Sequence, residues 1–189
     1  MNRAYPGNRR LPLAALLIAL GVLLAVTLLA RAADIKPAGS SIVATFRQEN
    51  VPVDAPFRRF NGQVEFDAAH PGATHAMLQV ATGSLDLGSP EYDAEVRKAE
   101  WLNSAVYPNA TFVSTAITPG AAGHFTATGT FTLKGRSQML SVPVTVSRRG
   151  TSTVFDGTLQ ISRKYFAIGS ADWNDVVDDV VKVRFHLVQ

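Results

Sequence analysis

The chain has 189 residues, 47% of them hydrophobic and 17% charged, with a formal net charge of +3 and no cysteine. That length fits one domain behind a leader, and the lack of cysteine excludes disulfides, thiolate catalysis, Cys-ligated metals and a lipid-modified cysteine tether. The positive excess sits in the first 32 residues, which hold four arginines and no acid; fourteen basic and fifteen acidic residues remain in 33–189, a net of −1, which excludes the basic footprint of a nucleic-acid binder.

Residues 1–32 are expected to be a signal peptide. Arg3, Arg9 and Arg10 precede twenty uncharged residues, Leu11 to Ala30, and Ala30-Arg31-Ala32 has the small-x-small form cleaved before Ala33. The run also reaches the ~20 residues that cross a bilayer, so an uncleaved anchor, with residues 11–30 in the inner membrane, is the alternative. Both readings place the domain in the periplasm or another extracytoplasmic part of the cell envelope. Residues 33–40, with Lys36, Pro37 and Gly39, read as a linker.

Strand-like alternation follows. Ile42, Ala44 and Phe46 share one side of 41–48, and Phe60, Gly62, Val64 and Phe66 alternate with Asn61, Gln63, Glu65 and Asp67. Between them, Pro52 and Pro56 restrict 50–56 to a loop or a sheet edge. A further strand covers 74–81.

The stretch from Ser89 is the one helical pattern. Ser89 can cap, Pro90 fits the first helical position, and Glu91 and Asp93 suit the positive end of the helix dipole. Tyr92, Val96 and Ala99 recur at helical spacing, and Tyr107-Pro108 forces extension before the next strand. Strands are then expected at 110–118, 124–133, 138–148, 154–162 and 177–189, with tight turns at Lys134-Gly135-Arg136 and Arg149-Gly150-Thr151. Eight short strands and one helix predict an all-β fold: an eight-stranded antiparallel up-and-down barrel, lipocalin-like, with the helix covering an end. A β-sandwich is the alternative.

An ordered set of motifs carries a resemblance. Phe57-Arg58-Arg59-Phe60-Asn61-Gly62, Trp101-Leu102, Tyr107-Pro108-Asn109-Ala110-Thr111-Phe112, Gly129-Thr130-Phe131-Thr132-Leu133-Lys134-Gly135, Phe155-Asp156-Gly157 and Arg163-Lys164-Tyr165-Phe166-Ala167-Ile168-Gly169 together resemble the YceI-like family of exported lipocalin-like proteins. The resemblance implies, for 41–189, a barrel whose apolar interior takes polyisoprenoid or fatty-acyl lipids. The family pattern often has glycine where this chain has Ala167.

The candidate cavity residues are Phe46, Phe60, Val64, Phe66, Leu78, Trp101, Phe112, Phe125, Phe131, Phe155, Phe166, Trp173 and Phe185. Most lie on apolar parities that converge inside a barrel, where they either fill a solid core or line a space; Ala44, Gly62, Ala127, Gly129 and Gly157 on the same faces leave room. Trp101 and Trp173 fall outside the alternation and suit a cavity mouth.

Nothing calls for a cofactor. His70, His75, His124 and His186 lack metal spacing, and Asp172, Asp175, Asp178 and Asp179 crowd one loop without a calcium-loop pattern. No Gly-x-Ser-x-Gly or His-Glu-x-x-His motif is present, so an enzyme is not expected. The expected function is an exported carrier of a long isoprenoid or other lipid. A non-catalytic envelope module beside a membrane redox partner, or a hydrolase on a small lipid, are the rivals.

Overall fold

The computed structural model describes residues 33–67 and 70–189; the expected leader, 1–32, lies outside them. Ten strands succeed one another: β1 (Ala33–Asp34), β2 (Lys36–Gln48), β3 (Val51–Pro56), β4 (Phe60–Glu65), β5 (His75–Ala81), β6 (Asn109–Pro119), β7 (His124–Leu133), β8 (Arg136–Arg149), β9 (Ser152–Ser162) and β10 (Val180–Val188). Among the described residues one α-helix, the short α1 (Pro90–Val96), lies between β5 and β6; three single 3-10 turns complete the elements.

All ten strands form one antiparallel sheet in the order β1-β4-β5-β6-β7-β8-β9-β10-β2-β3. From β4 to β10 each strand pairs with the next, the up-and-down order that tight turns dictate. β2 then pairs with β10 on one side and β3 on the other. The sheet is strongly curled and barrel-like. Its N-terminal strand bends at Ile35, running beside β4 as β1, with Ile35 N–H donating to Gly62 O at 2.8 Å, and beside β10 as β2.

The count of ten corrects the expected eight. Every expected strand is present, and two more join them. Residues 51–56 are strand despite Pro52 and Pro56, because β3 stands at an end of the sheet order, where a missing N–H breaks no second ladder. Residues 33–40, expected as a linker, belong to β1 and β2. Pro37 and Gly39 are absorbed in a bulge: Gly39 takes φ +85, the β2–β10 register shifts, and Ser40 Oγ accepts the Val188 N–H at 2.8 Å in place of a backbone carbonyl.

The alternation seen in the sequence becomes one continuous inner face. Leu78, Phe112 and Phe131 stand opposite one another across β5, β6 and β7. Leu159, Val183 and Ala44 do the same across β9, β10 and β2. Gly129 sits on that face beside the bulge in β6, where the Val113 carbonyl and the Phe112 ring occupy the space a Cβ would need.

α1 begins as expected: Ser89 Oγ accepts the Tyr92 N–H at 3.3 Å, Pro90 opens the first turn, and Glu91 and Asp93 follow. It ends at Val96, short of Ala99, and turns occupy most of 97–108. Leu102 N–H donates to Val96 O at 3.0 Å, which folds the buried Leu102 side chain back beneath the helix.

Candidate binding cavity

Inside the curled sheet lies a cavity of about 630 Å³ whose walls are overwhelmingly aliphatic and aromatic. Phe46 on β2, Val64 on β4, Leu78 on β5, Phe112 on β6, Phe125 and Phe131 on β7, Phe155 on β9 and Phe185 on β10 all line it. Phe66, just past β4, and the loop residues Trp101 and Trp173 line it too. Eleven of the thirteen candidate residues therefore meet around one space.

The other two are placed differently. Phe60 is the first residue of β4 and packs against the core without lining the cavity. Phe166 is fully buried behind the wall, its ring edge-on to Phe131 at 5.4 Å and to Tyr165 at 4.9 Å. Phe166 follows β9 in a tight turn that reverses its direction, Phe166 N–H reaching Ser162 O, so it supports the lining from outside.

The two ends of β7 differ. At its start, Phe66 makes edge-to-face contacts with Phe125 and Phe155, at 5.3 and 5.6 Å, a cluster with no polar side chain in it. Beyond its last residue, Lys134 Nζ donates to Glu100 O and Ala167 O, at 2.9 and 2.6 Å. There Glu100 Oε1 accepts from Trp173 Nε1 at 2.9 Å, and the Trp101 and Trp173 rings lie 5.0 Å apart. Hydrogen bonds from Ser170, then from Trp173, hold the Glu100 carboxyl below the usual carboxylate range. Burial, and next the neighbouring Arg136, draw the Lys134 ammonium below the usual lysine value.

Arg163 anchors this end. It is 2% exposed and lines the cavity, and its guanidinium donates to Val177 O, Asp178 O, Ile168 O, Trp173 O and Asn174 Oδ1 at 2.8 to 3.2 Å. One buried cation thus ties the turn after β9 to the segment before β10. Periodicity offers no pattern for this, since four of the five acceptors are backbone carbonyls and all but Ile168 O come from the segment before β10. Glu95 and Val96 on α1 also line the cavity, which places the helix beside it.

The scattered histidines stay apart from the cavity. His70 pairs with Asp67 at 2.9 Å and His186 with Asp156 at 2.6 Å, both on the outside. The crowded aspartates are used locally: Asp178 faces Arg47 at 3.9 Å, and Asp179 accepts from Ser162 Oγ and the Lys164 N–H. Among the described residues no group of three or more acidic, His or Cys side chains is arranged to hold a metal.

Comparison with known proteins gives a consistent picture. A family model described as a YceI-like domain matches residues 34–189. A UPF0312 protein of Enterobacter is 35% identical over 137 residues, 70% of this chain and 69% of its own. A UPF0312 protein of Shewanella is 32% identical over 160 residues, 79% of this chain and 84% of its own. Among solved structures, Burkholderia cenocepacia BcnA superposes with a TM-score of 0.79 at 38% identity, over 82% of this chain and 99% of its own. A polyisoprenoid binding domain from Saccharophagus degradans superposes at 0.67 with 16% identity, over 82% and 95%, a likeness of fold.

Proposed function

The chain belongs to the YceI-like domain family, and from that premise we propose that it is an exported protein that binds a long apolar lipid, of polyisoprenoid or fatty-acyl type, inside its curled sheet and carries or sequesters it in the cell envelope. The observation that carries the reading is the cavity: about 630 Å³ of space walled by Phe, Val, Leu and Ile side chains from every strand from β2 to β10. That size falls within the ~300–1,000 Å³ of small-molecule sites, and its apolar lining selects for hydrocarbon. The polyisoprenoid-binding domain that shares the fold supports the same ligand class.

Burial alone supplies the affinity. Each methylene taken from water contributes about 0.8 kcal/mol, so ten carbons give about 8 kcal/mol before the cost of ordering the chain. No proton transfer or nucleophile enters this scheme. Residues 1–32 serve in it as the export leader, cut before Ala33 or kept as an inner-membrane anchor, and N-terminal sequencing of envelope-derived protein separates the two. Mass spectrometry of an organic extract of the purified protein tests the binding reading. A stoichiometric long-chain lipid is the expected result; protein that yields none, and takes up no apolar probe after delipidation, overturns it.

A further inference from the structure

The β8–β9 hairpin is zipped along only part of its length. Pairing runs from Arg149↔Ser152 to Val144↔Gly157 and stops, although β8 extends back to Arg136 and β9 on to Ser162. The sequence explains where. Arg149↔Ser152 closes the two-residue turn Gly150-Thr151, and hydrogen-bonded pairs alternate from such a closing pair: Ser147↔Val154, Thr145↔Asp156, then Pro143 opposite Thr158. Pro143 has no N–H to give. Its carbonyl does face β9, since a Cβ added at Gly157 would lie 2.8 Å from Pro143 O. Beyond that point β8 pairs with β7 and β9 with β10, but not with each other.

The result is a slot in the wall, closed at both ends. At one end stands the last ladder pair. At the other, Tyr165 Oη donates to Ser137 O at 2.7 Å and Arg136 Nη1 donates to Tyr165 O. From Ser137 to Pro143 the slot is roughly 20 Å long at ~3.3 Å per residue. Val142 on one bank and Leu159 and Ile161 on the other line the cavity. An outer recess of about 700 Å³ lies where the ladder stops; Pro143, Gly157 and Thr158 line it together with the polar Asp156, Arg184 and His186, and it shares Phe125, Val144 and Phe185 with the cavity. Both banks are free of charge: residues 137–147 and 157–162 contain no Asp, Glu, Lys or Arg. Next to the slot Met139 is 59% exposed, in a row with Val113 and Met77 across β8, β6 and β5.

We propose that the β8–β9 slot is the lateral route by which a hydrocarbon chain enters and leaves the cavity. The assignment rests on the lipid-binding reading of that cavity. The banks themselves carry no ionised group for a sliding chain to desolvate, and Asp156 and Arg184 stand only in the wider outer recess, whereas the stapled end beyond β7 presents Lys134, Glu100 and Arg163.

The chain has no cysteine, so Ser141→Cys with Gln160→Cys, both at exposed positions on facing banks, gives one unique pair to bridge with a short bis-maleimide. Stopped-flow uptake and release of dansyl-undecanoic acid by the delipidated full chain should both slow at least about tenfold in the bridged protein, with Kd held within about twofold. Each single cysteine capped with N-ethylmaleimide should keep the parent rates. Pro143→Thr, which restores the N–H and needs no chemistry, should slow uptake in the same direction. Bridged protein that loads and unloads at the parent rate overturns the slot while leaving the cavity as the site. Parent protein that binds no probe overturns the lipid-binding reading, and the slot with it.

Discussion

The two ends of β7 solve different problems with different chemistry. Past Leu133 the chain closes on itself through charge and hydrogen bonds: Arg163 holds five oxygens, Lys134 two carbonyls, and Glu100 the Trp173 indole. Inside the sheet at Phe125 the side-chain contacts are the aromatic edges of Phe66 and Phe155. A directional network fixes one geometry and fails when one partner is lost. An aromatic cluster beside a cavity tolerates displacement, because its contacts are weak, many and non-directional. The stapled end therefore serves as the frame, and the phenylalanine end as the part able to adjust to a ligand.

Substitutions should separate the two. Arg163→Leu leaves the carbonyls of Val177, Asp178 and Ile168 without their donor, and at ~1–3 kcal/mol for each orphaned group it should cost at least about 3 kcal/mol in urea unfolding. Phe66→Ala removes two ring contacts from a partly buried side chain that already borders empty space. It should cost about 1–2 kcal/mol, below the ~3–5 of a solid core, and change the affinity for an apolar probe more than it changes the melt. A full core-sized loss at Phe66 with unchanged probe binding would erase the contrast.

A gain is expected at Ala167. Its φ is +53, the left-handed region in which a Cβ costs an L-residue about 1 kcal/mol or more. Ala167→Gly should therefore raise stability by about 1 kcal/mol, read as a shifted urea midpoint at constant slope.

The smallest effect is electrostatic. Glu100 binds protons less readily folded than unfolded, so its contribution is present above its unfolded pKa and is lost as pH falls through the folded one. The melting temperature of the parent should fall across the acidic side of the carboxylate range more than that of Glu100→Gln, and parallel curves would remove Glu100 from the frame.

How much of this was legible follows from how local each cause is. Alternation at 60–66 and 124–133 set the inner face, and Ser89-Pro90 set the helix start, because those signals involve neighbours in sequence. The glycine that the resemblance leads one to expect at 167 marked the turn where φ is positive. Phe166 carried the same hydrophobic signal as Phe131, yet one packs behind the other, since facing inward depends on a turn after β9 that periodicity does not describe. Arg163 opens one of the motifs that carry the resemblance, but its role was unreadable for a stronger reason: four of its five partners are backbone carbonyls, which every residue has. Of the additional strands, β1 came from a pairing between distant segments, Ala33 with Val64, whereas β3 folds back on β2 through the two-residue turn Glu49-Asn50, a local pairing that Pro52 and Pro56 obscured.

The bent first strand has a consequence for the order of events in folding. β2 pairs with β10, and Gln189 Nε2 donates to Ala33 O, so the first described residue waits on the last. Such pairing makes closure the slow, late step, because loop entropy must be met before the contact forms. In a chain made from its N-terminus β2 meets β3 at once and β10 only when synthesis of the sheet is complete. Until then β2 presents an open edge, and a product cut short before Val180 would keep it open, a ready target for proteases and for pairing with other chains.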